Sequence, residues 1–312
     1  MYQRQRPSTM RLGNVPQPFP YQGSKRKLAA VILDCIPKST KRLVEPFAGS
    51  AAVSVAAAWT GRVEAFWLND AHSALMSLWT QMLNAPHALA DHYERIWSAQ
   101  QGRERDHYNE VRERFNREHR PADFLFLLAR CVKAAIRYNR NGEFNNSPDH
   151  RRLGMRPATM RKNILLVQQA LGGRTTLTTG NYRNVLSKTK TNDLVYLDPP
   201  YQGVCKNRDN RYVQSVIFAD FVEELERLNR HHVPYIVSYD GRTGDTTYGE
   251  KLPKSLDLVH TEILVGRSTQ ATLLGRSHDT YESLYLSPAT MKKLGNLPPV
   301  LREDACVVPT LF

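Results

Sequence analysis

The chain has few cysteines and no long apolar run. Four cysteines are scattered over 312 residues, with no Cys-x-x-Cys pair and no histidine pair at metal-binding spacing. Reduced thiols and no bound metal are therefore expected. No apolar stretch approaches the roughly 20 residues of a membrane span, and residues 1–20 lack the apolar core of a secretory signal. We expect a cytoplasmic protein that has no membrane partner.

Negative charge is also scarce. Asp and Glu number 30 against 43 Lys and Arg, which leaves a formal net charge of +13. An excess of this size indicates an anionic partner, and the lack of a membrane span favours nucleic acid. Residues 1–18 contain three arginines and no apolar core, so we predict a flexible basic arm there.

Apolar periodicity predicts strands and helices that alternate on both sides of a long helical segment. Strands are predicted at 43–47, 63–68, 175–179, 193–197, 234–239, 258–265 and 280–286, and helices at 24–36, 51–59, 71–83 and 220–230. This alternation predicts an α/β fold with a Rossmann-like, doubly wound and mostly parallel sheet. Residues 19–83 and 174–290 would form its core, 84–173 a helical insertion, and 291–312 a peripheral tail.

The segment Asp198-Pro199-Pro200-Tyr201 follows the apolar run 193–197, which is typical of a buried strand. Ligands of open α/β sheets bind at the carboxyl ends of such strands. The two prolines make a rigid elbow whose carbonyl groups are free to accept hydrogen bonds. Tyr201 can stack on a flat ring while Asp198 and the Pro199 carbonyl accept from its amino group. The motif alone also allows an ordinary loop after a core strand.

The loop after the first predicted strand, Glu45-Pro46-Phe47-Ala48-Gly49-Ser50, is a second candidate site. Gly49 permits close backbone approach, and the next helix begins with free N–H groups that suit a negative group. The Gly-x-Gly-x-x-Gly fingerprint and the P-loop are absent, which argues against a pyrophosphate or triphosphate ligand. Asp70 lies about 20 residues farther on, where an acid commonly holds ribose hydroxyls. It is also placed to cap the following helix.

Together with Phe19-Pro20-Tyr21-Gln22-Gly23-Ser24-Lys25, these segments resemble the Dam-like DNA adenine methyltransferases, which use S-adenosylmethionine. Leu68-Asn69-Asp70 and the segment 137–145, Arg-Tyr-Asn-Arg-Asn-Gly-Glu-Phe-Asn, match further family motifs, in the family's order. The catalytic residues that the resemblance implies are Asp198, Pro199, Pro200 and Tyr201. The cofactor-binding residues that it implies are Tyr21, Lys25, Glu45, Pro46, Phe47, Gly49, Ser50, Asp70, Asn181, Tyr182 and Asp198.

One position departs from the family pattern. The family commonly has Gly-Asp-Phe or Gly-Asp-Tyr before the catalytic strand, where the acid accepts a hydrogen bond from the adenine amine of the cofactor. This chain has Gly180-Asn181-Tyr182 instead. Because an Asn carbonyl also accepts such a bond, we expect Asn181 to keep that contact.

The implied reaction transfers a methyl group to N6 of an adenine that is flipped out of duplex DNA. Asp198 and the Pro199 carbonyl would accept the two N–H bonds and stabilise the positive charge that develops on nitrogen, with no need for a metal. Three alternatives stay open: cytosine N4 as the acceptor, adenine in RNA as the acceptor, and a catalytically silent DNA-binding module. The resemblance also allows a cognate restriction endonuclease as a partner, in a bacterial or phage-encoded system.

The helical insertion is the predicted target-recognition domain. Between Gln101 and Lys162, 15 Lys and Arg stand against 8 Asp and Glu. A helix predicted over 122–138 has basic residues away from its apolar stripe. Such a face is more often merely solvated, but beside a flipped-base site on a basic chain it favours DNA phosphates. The predicted DNA-binding residues are Arg130, Lys133, Arg137, Asn139, Arg140, Asn145, Arg151, Arg152, Lys206 and Arg208.

Overall fold

The computed structural model describes residues 15–200, 216–243, 246–248, 250–267 and 279–301. Their strands are β1 (Arg42–Glu45), β2 (Ala65–Asp70), β3 (Thr175–Thr179), β4 (Asp193–Leu197), β5 (Tyr235–Thr243), β6 (Thr246–Tyr248), β7 (Val259–Arg267) and β8 (Asp279–Leu286). They form one sheet in the order β3-β2-β1-β4-β5-β8-β7, and β6 pairs with β5 beside that path. β1 to β5 run parallel, whereas β8 is antiparallel to both of its neighbours. The predicted mostly parallel, doubly wound sheet is confirmed.

The order of the strands determines where a ligand crevice opens. From β1 the chain continues to β2 and β3 on one side and later crosses to β4 and β5 on the other. This reversal puts the topological switch point between β1 and β4. In doubly wound sheets the crevice lies outside the carboxyl ends of the strands at that point. Glu45 ends β1 and Leu197 ends β4, so the crevice is bordered by the residues that follow them.

The α-helices in the described part of the chain are α1 (Ala29–Asp34), α2 (Ala52–Trp59), α3 (Ser73–Asn84), α4 (Pro86–Ser98), α5 (Glu104–Glu118), α6 (Pro121–Arg130), α7 (Pro157–Leu171), α8 (Tyr182–Leu186), α9 (Phe218–Arg230) and α10 (Pro288–Leu294). The sequence patterns missed α8, α10 and β6, all of which are short. Most other elements lie within a few residues of their predicted bounds, since their periodicity is long enough to define them.

Alternate residues of the central strands pack into two hydrophobic clusters, one on each face of the sheet. Leu194 and Tyr196 of β4 belong to the cluster that contains α1, α2 and α3. Val195 and Leu197 belong to the cluster that contains α8 and α9. This division follows from the two-residue period of a strand and explains why β4 is apolar throughout. The helical segment shares the first cluster, to which α5 and α6 contribute large aromatic residues.

The helix predicted over 122–138 is wrong at its carboxyl end. α6 ends at Arg130, and Cys131 has an extended backbone that pairs with Pro148. Lys133 and Ala134 then adopt left-handed conformations, with φ of 59° and 49°. A helix cannot pass through such residues. The basic residues that follow Arg130 therefore lie on an irregular segment and share no helical face with it.

The two ends of the described chain pack against the core. Val15 is buried, and the guanidinium of Arg26 donates to its carbonyl at 2.6 Å. Leu301, within the predicted peripheral tail, is buried in the same cluster as α1. Residues 1–14 and 302–312 lie outside the described residues. The predicted arm and tail therefore each include residues with buried contacts.

Two of the four thiols lie within the described chain. Cys35 and Cys131 are buried and free, and burial raises the pKa of Cys131 to about 12. Such thiols are structural rather than reactive. None of the described helices is both long and apolar enough to cross a membrane.

Candidate active site

A cavity of about 310 Å³ opens at the carboxyl ends of β1 and β4. The loops after β1, β2, β3 and β4 line it, together with the segment before the 3-10 helix Lys25–Lys27. Its predicted site residues are Tyr21, Lys25, Glu45, Pro46, Phe47, Gly49, Ser50, Asp70, Tyr182, Asp198, Pro199 and Pro200. Asn181 is not part of the lining, and Tyr201 lies outside the described residues. Segments that are far apart in sequence thus meet in one cavity.

Glycine is required in the loop after β1. Gly49 has φ of +49°, and a Cβ there would come within 3.1 Å of the Tyr21 ring. Its carbonyl accepts a hydrogen bond of 3.0 Å from the indole of Trp79 in α3, which holds the loop in place. Ala51, the residue before α2, has no side-chain oxygen with which to cap that helix. Ala52 and Val53 line the cavity, so the amino end of α2 faces it.

Asp70 ties the loop after β1 to the loop after β2. One carboxylate oxygen accepts from the Gly49 N–H at 3.0 Å, and the other accepts from the His72 N–H at 2.9 Å. Burial raises the pKa of Asp70, while these backbone N–H groups oppose the shift. The prediction that Asp70 caps the next helix is wrong, because α3 begins only at Ser73. His72 is the cap, and its Nδ1 accepts from the Leu75 N–H.

An aromatic pair forms one side of the cavity. The rings of Phe47 and Tyr182 lie 4.9 Å apart, between the loops after β1 and β3. The Asn69 amide donates to the carbonyls of Pro46 and Gly180, at 3.0 and 2.9 Å, and so holds the same two loops together. Asn181 caps α8, and its Oδ1 accepts from the Arg183 N–H. The amide oxygen predicted to face the cofactor is therefore already engaged with the backbone.

Asp198 follows β4 and meets a buried lysine. The Lys25 ammonium lies 3.1 Å from a carboxylate oxygen of Asp198 and 3.2 Å from one of Glu282 on β8. Burial raises the pKa of Asp198 to about 6, Lys25 lowers it, and Glu282 raises it. The Asp198 side chain keeps about a fifth of its surface exposed, towards the cavity. Lys25, predicted to contact the cofactor, thus pairs with the predicted catalytic acid.

Glu45 is a second buried carboxyl group beside Asp198. Its Oε1 accepts from the Ser54 N–H at 2.7 Å, in the first turn of α2. Burial raises the pKa of Glu45 to about 7; the bond from Ser54 opposes this shift, and the charge of Asp198 adds to it. Glu45 therefore carries a proton for part of the time at neutral pH.

We expect Glu45→Gln to weaken the dependence of folding stability on pH. Between the ordinary pKa of 4.5 and about 7, folded Glu45 retains a proton that the unfolded chain has lost. The free energy of unfolding therefore falls as pH rises through this window. Glutamine should remove this fall and, above about pH 7.5, stabilise the protein by up to about 3 kcal/mol, since each pKa unit corresponds to about 1.4 kcal/mol. Urea unfolding between about pH 5 and 7.5 measures it. Glu64→Gln, at an exposed site before β2, is the control, and equal pH dependence in all three proteins would contradict the assignment.

Arg130 cannot contact DNA in the way predicted. Its residue surface is 2% exposed, and its guanidinium donates to the carbonyls of Asp149 and Arg152. The helical pattern assigned it to a solvent face, but the chain that returns after Phe144 covers that face. Arg130 therefore holds this loop in position, and its predicted role as a DNA contact is corrected to a structural one.

The other predicted DNA-binding residues within the described chain lie at least partly on the surface. Ile136 lines the cavity, and the next residue, Arg137, is exposed. Asn139 shapes a tight loop, since its Oδ1 accepts from the N–H groups of Asn141 and Glu143. The exposed members are Lys133, Arg137, Arg140, Asn145, Arg151 and Arg152. Lys206 and Arg208 lie outside the described residues.

His72 connects the ligand cavity to this basic segment, a role that the sequence analysis missed. Its Nδ1 accepts from a backbone N–H, so its proton is on Nε2, which lies 2.7 Å from the Tyr138 hydroxyl. The ring also stacks on Phe124 of α6. Burial lowers the pKa of His72 to about 4, so the ring is neutral. The signal in the sequence was a histidine two residues after the acid that ends β2.

The described residues contain no cluster of three or more His, Cys, Asp or Glu side chains arranged to hold a metal ion. The groups around the cavity are instead carboxylates, aromatic rings and backbone N–H and C=O groups. These suit an organic ligand that carries hydroxyl, amino and flat ring groups.

Comparisons with known proteins find one family and several relatives with similar sequences. The family model for D12 class N6 adenine-specific DNA methyltransferases matches residues 21–269. The chain is 29% identical over 192 residues to the DNA N-6-adenine-methyltransferase of Escherichia phage P1, covering 59% of this chain and 24% of that protein. It is 24% identical over 300 residues to the type II methyltransferase M.MjaIII of Methanocaldococcus jannaschii, covering 91% of this chain and 94% of that one. The chain thus spans about a quarter of the phage relative's length.

Comparison with solved structures finds, among others, the rRNA methyltransferase aviRa from Streptomyces viridochromogenes. The two chains superpose with a TM-score of 0.41 and 15% sequence identity, over 88% of this chain and 90% of the other.

Proposed function

This chain belongs to the D12 class of N6 adenine-specific DNA methyltransferases, and on that premise we propose that it transfers a methyl group from S-adenosylmethionine to N6 of adenine in duplex DNA. The observation that carries the proposal is the meeting of the Asp198-Pro199-Pro200 elbow with Asp70 and the Gly49 loop in one cavity at the switch point. Each group suits a different part of the reaction.

The chemical groups that line the cavity suit S-adenosylmethionine. The Asp70 carboxylate suits two ribose hydroxyls, and the rings of Phe47 and Tyr182 suit the adenine plane. The absence of a side chain at Gly49 leaves room for close approach of a ligand to the backbone, since a Cβ would crowd Tyr21. Bound there, S-adenosylmethionine supplies an electrophilic methyl group. The further cofactor contacts that we propose are Tyr21, Lys25, Glu45, Pro46 and Ser50. We also propose Asn181, whose Oδ1 can accept a second hydrogen bond beside the one from the Arg183 N–H.

Asp198 and Pro199 would act on the target base. The ionised carboxylate and the Pro199 carbonyl accept the two N–H bonds of the adenine amine and stabilise the positive charge that develops on N6. Pro200 stiffens the elbow that carries both acceptors. Tyr201 stacks on the base after it leaves the duplex, since the amine cannot be reached inside the helix. Positioning of the amine and the methyl group in line supplies much of the remaining acceleration.

The helical segment 84–173 would contact DNA beside the cavity, with the sheet of residues 19–83 and 174–290 as the catalytic core. The exposed basic residues of segment 84–173 would neutralise DNA phosphates, which gives affinity without sequence information. Lys206 and Arg208 would join them from the segment after the catalytic elbow. M.MjaIII is named a type II methyltransferase, so a cognate restriction endonuclease is the protein partner that we propose. We place the protein in the cytoplasm, where DNA and cofactor are available.

The proposal is tested with purified protein, tritiated S-adenosylmethionine and unmethylated plasmid, followed by mass spectrometry of the nucleosides. We expect N6-methyladenine and, on a plasmid that is already fully modified, no further incorporation. N4-methylcytosine would change the target base and keep the reaction class. Transfer to RNA alone, or no transfer, would contradict the proposal.

We expect the double variant Arg137→Ala, Arg140→Ala to bind DNA more weakly. Both side chains are exposed on the segment that continues from the cavity wall at Ile136. Each lost phosphate contact should reduce the slope of log K against log salt by about 0.9. Fluorescence anisotropy with a labelled duplex at several salt concentrations measures this slope. Lys38→Ala, Lys41→Ala removes the same charge ahead of β1, at the opposite edge of the sheet, and should leave the slope unchanged. Equal slopes in both double variants would exclude this segment from the interface.

A further inference from the structure

We propose that Glu282 is a positioning residue for the active site, which acts through the shared Lys25 to set the protonation of Asp198. The inference rests on the proposed function, because the proposed methyl transfer requires Asp198 to be ionised and yet basic enough to take up a proton. Glu282 lies beyond the residues matched by the family model, which ends at residue 269.

The position of Glu282 breaks the pattern of its strand. Along β8, Leu286 and Leu284 face the first hydrophobic cluster, and the two-residue period makes Glu282 the next side chain in that row. A carboxylate thus occupies the position that directly extends this apolar row. A charge in such a row needs a specific partner, because its burial is unfavourable without one.

The geometry of the sheet brings this carboxylate to the crevice. The register between β5 and β8 shifts between Ser238 and Gly241, so that Glu282 lies opposite Gly241. Irregularities of this kind commonly re-aim side chains next to active sites. The Ser238 hydroxyl lies 3.5 Å from Oε2 of Glu282, the oxygen that also faces Lys25. Because β8 is antiparallel to β5, the start of β8 lies at the carboxyl edge where Asp198 lies.

One ammonium group therefore serves two carboxylates. The Lys25 side chain is 5% exposed and lies 3.1 Å from Asp198 and 3.2 Å from Glu282. Among the described residues, the charged groups that face Asp198 are Lys25 before α1, Glu282 on β8 and Glu45 at the end of β1. An ion pair with Lys25 alone would hold Asp198 strongly ionised and weakly basic. Glu282 competes for the same ammonium and limits that effect.

This balance suits the proton of the proposed reaction. As the bond between N6 and the methyl carbon forms, the bond from that carbon to sulfur breaks and its electron pair stays on sulfur. The nitrogen then carries a positive charge until one of its protons leaves. The Asp198 carboxylate, which already accepts that N–H, takes the proton and passes it to solvent. If Lys25 lowered the pKa of Asp198 too far, the carboxylate would take this proton poorly. A protonated Asp198 would accept the N–H only as a neutral, weaker acceptor and could not take up the proton at all.

The test is a carboxyl ¹³C NMR titration of the ligand-free protein, which requires neither cofactor nor DNA. The Asp198 resonance is assigned by its loss in Asp198→Asn. We expect Glu282→Gln to lower the pKa of Asp198 by roughly half a unit or more, and Lys25→Met to raise it by about one unit or more. Glu282→Asp withdraws the carboxylate from Lys25 by one methylene group and should give a smaller lowering, which provides a second variant if glutamine disturbs the fold.

Glu262→Gln is the matched control. Glu262 pairs with Ser283, the residue after Glu282, so its side chain faces the opposite side of the sheet, where it bonds Arg242. It should leave the pKa of Asp198 unchanged. The acid limb of the pH profile of kcat should move in the same direction as the NMR pKa in each variant.

An Asp198 pKa that is the same in Glu282→Gln and Glu262→Gln, or that moves in the same direction in Glu282→Gln and Lys25→Met, would overturn the inference. The expected opposite shifts without methyl transfer by the wild-type protein would support the inference about Asp198 and contradict the proposed function. The two failures are therefore distinguishable.

Discussion

Asp198→Ala should reduce the rate of methyl transfer by about 10²- to 10³-fold, the usual cost of removing one preorganised group that stabilises developing charge. The affinity for S-adenosylmethionine should stay within a few-fold of wild type, because Asp198 is assigned mainly to the base. Single-turnover transfer and isothermal titration calorimetry measure these two quantities. Asp198→Asn keeps one acceptor oxygen and loses the charge, so its rate should lie between those of the alanine variant and the wild type.

Asp193→Ala controls for damage to the strand itself. Asp193 begins β4, at the opposite end from Asp198, and accepts two hydrogen bonds from Arg42, at 3.0 and 2.9 Å. Its removal should lower stability, since Arg42 loses a partly buried partner, yet leave the rate of transfer near wild type. A transfer rate in Asp198→Ala that equals that of Asp193→Ala would contradict the role assigned to Asp198.

Asp70→Ala should weaken the binding of S-adenosylmethionine by about 10- to 100-fold. A hydrogen bond to a charged group contributes about 1.5–3 kcal/mol, and about 1.4 kcal/mol corresponds to a factor of ten in affinity. The same change leaves the N–H groups of Gly49 and His72 without their acceptor and so loosens the two loops that border the cavity. Calorimetry with the ligand-free protein gives the affinity.

Asp70→Asn separates these two contributions. The asparagine oxygen can still accept one backbone N–H, so the loops keep part of their support while the negative charge is lost. We expect its affinity to lie between those of wild type and Asp70→Ala, with the rate at saturating cofactor close to wild type. Wild-type affinity in the alanine variant would remove Asp70 from the cofactor site.

Much of the site follows from strand ends that are readable in the sequence. The apolar run before Asp198 and the run before Asp70 each end in an acid, and the carboxyl ends of parallel strands lie at the same edge of a sheet. Gly49 was identifiable from its place in the turn that follows the first predicted strand. These predictions depend only on local pattern and on the rule that connects parallel strands.

The basic segment shows where local pattern misled. Apolar spacing continued past Arg130, so a longer helix was the natural prediction, but Lys133 and Ala134 have left-handed backbones. The extended residue Cys131 pairs with Pro148, and the returning chain covers Arg130. Pairing with a later segment outweighed the helical preference of residues 131–138. The spacing of apolar residues within 131–138 gives no indication of this pairing.

Spacing along a few neighbouring residues was enough to predict the class of fold, the order of the main strands along the chain and the acids at their ends. What those acids contact depends on the tertiary structure. Lys25 and Glu282 are far apart in the chain, yet Glu282 reaches the ammonium group that pairs with Asp198, because the antiparallel β8 brings its first residues to the edge where β1 and β4 end. Charge pairing depends on distances in space, and a local pattern carries no record of them.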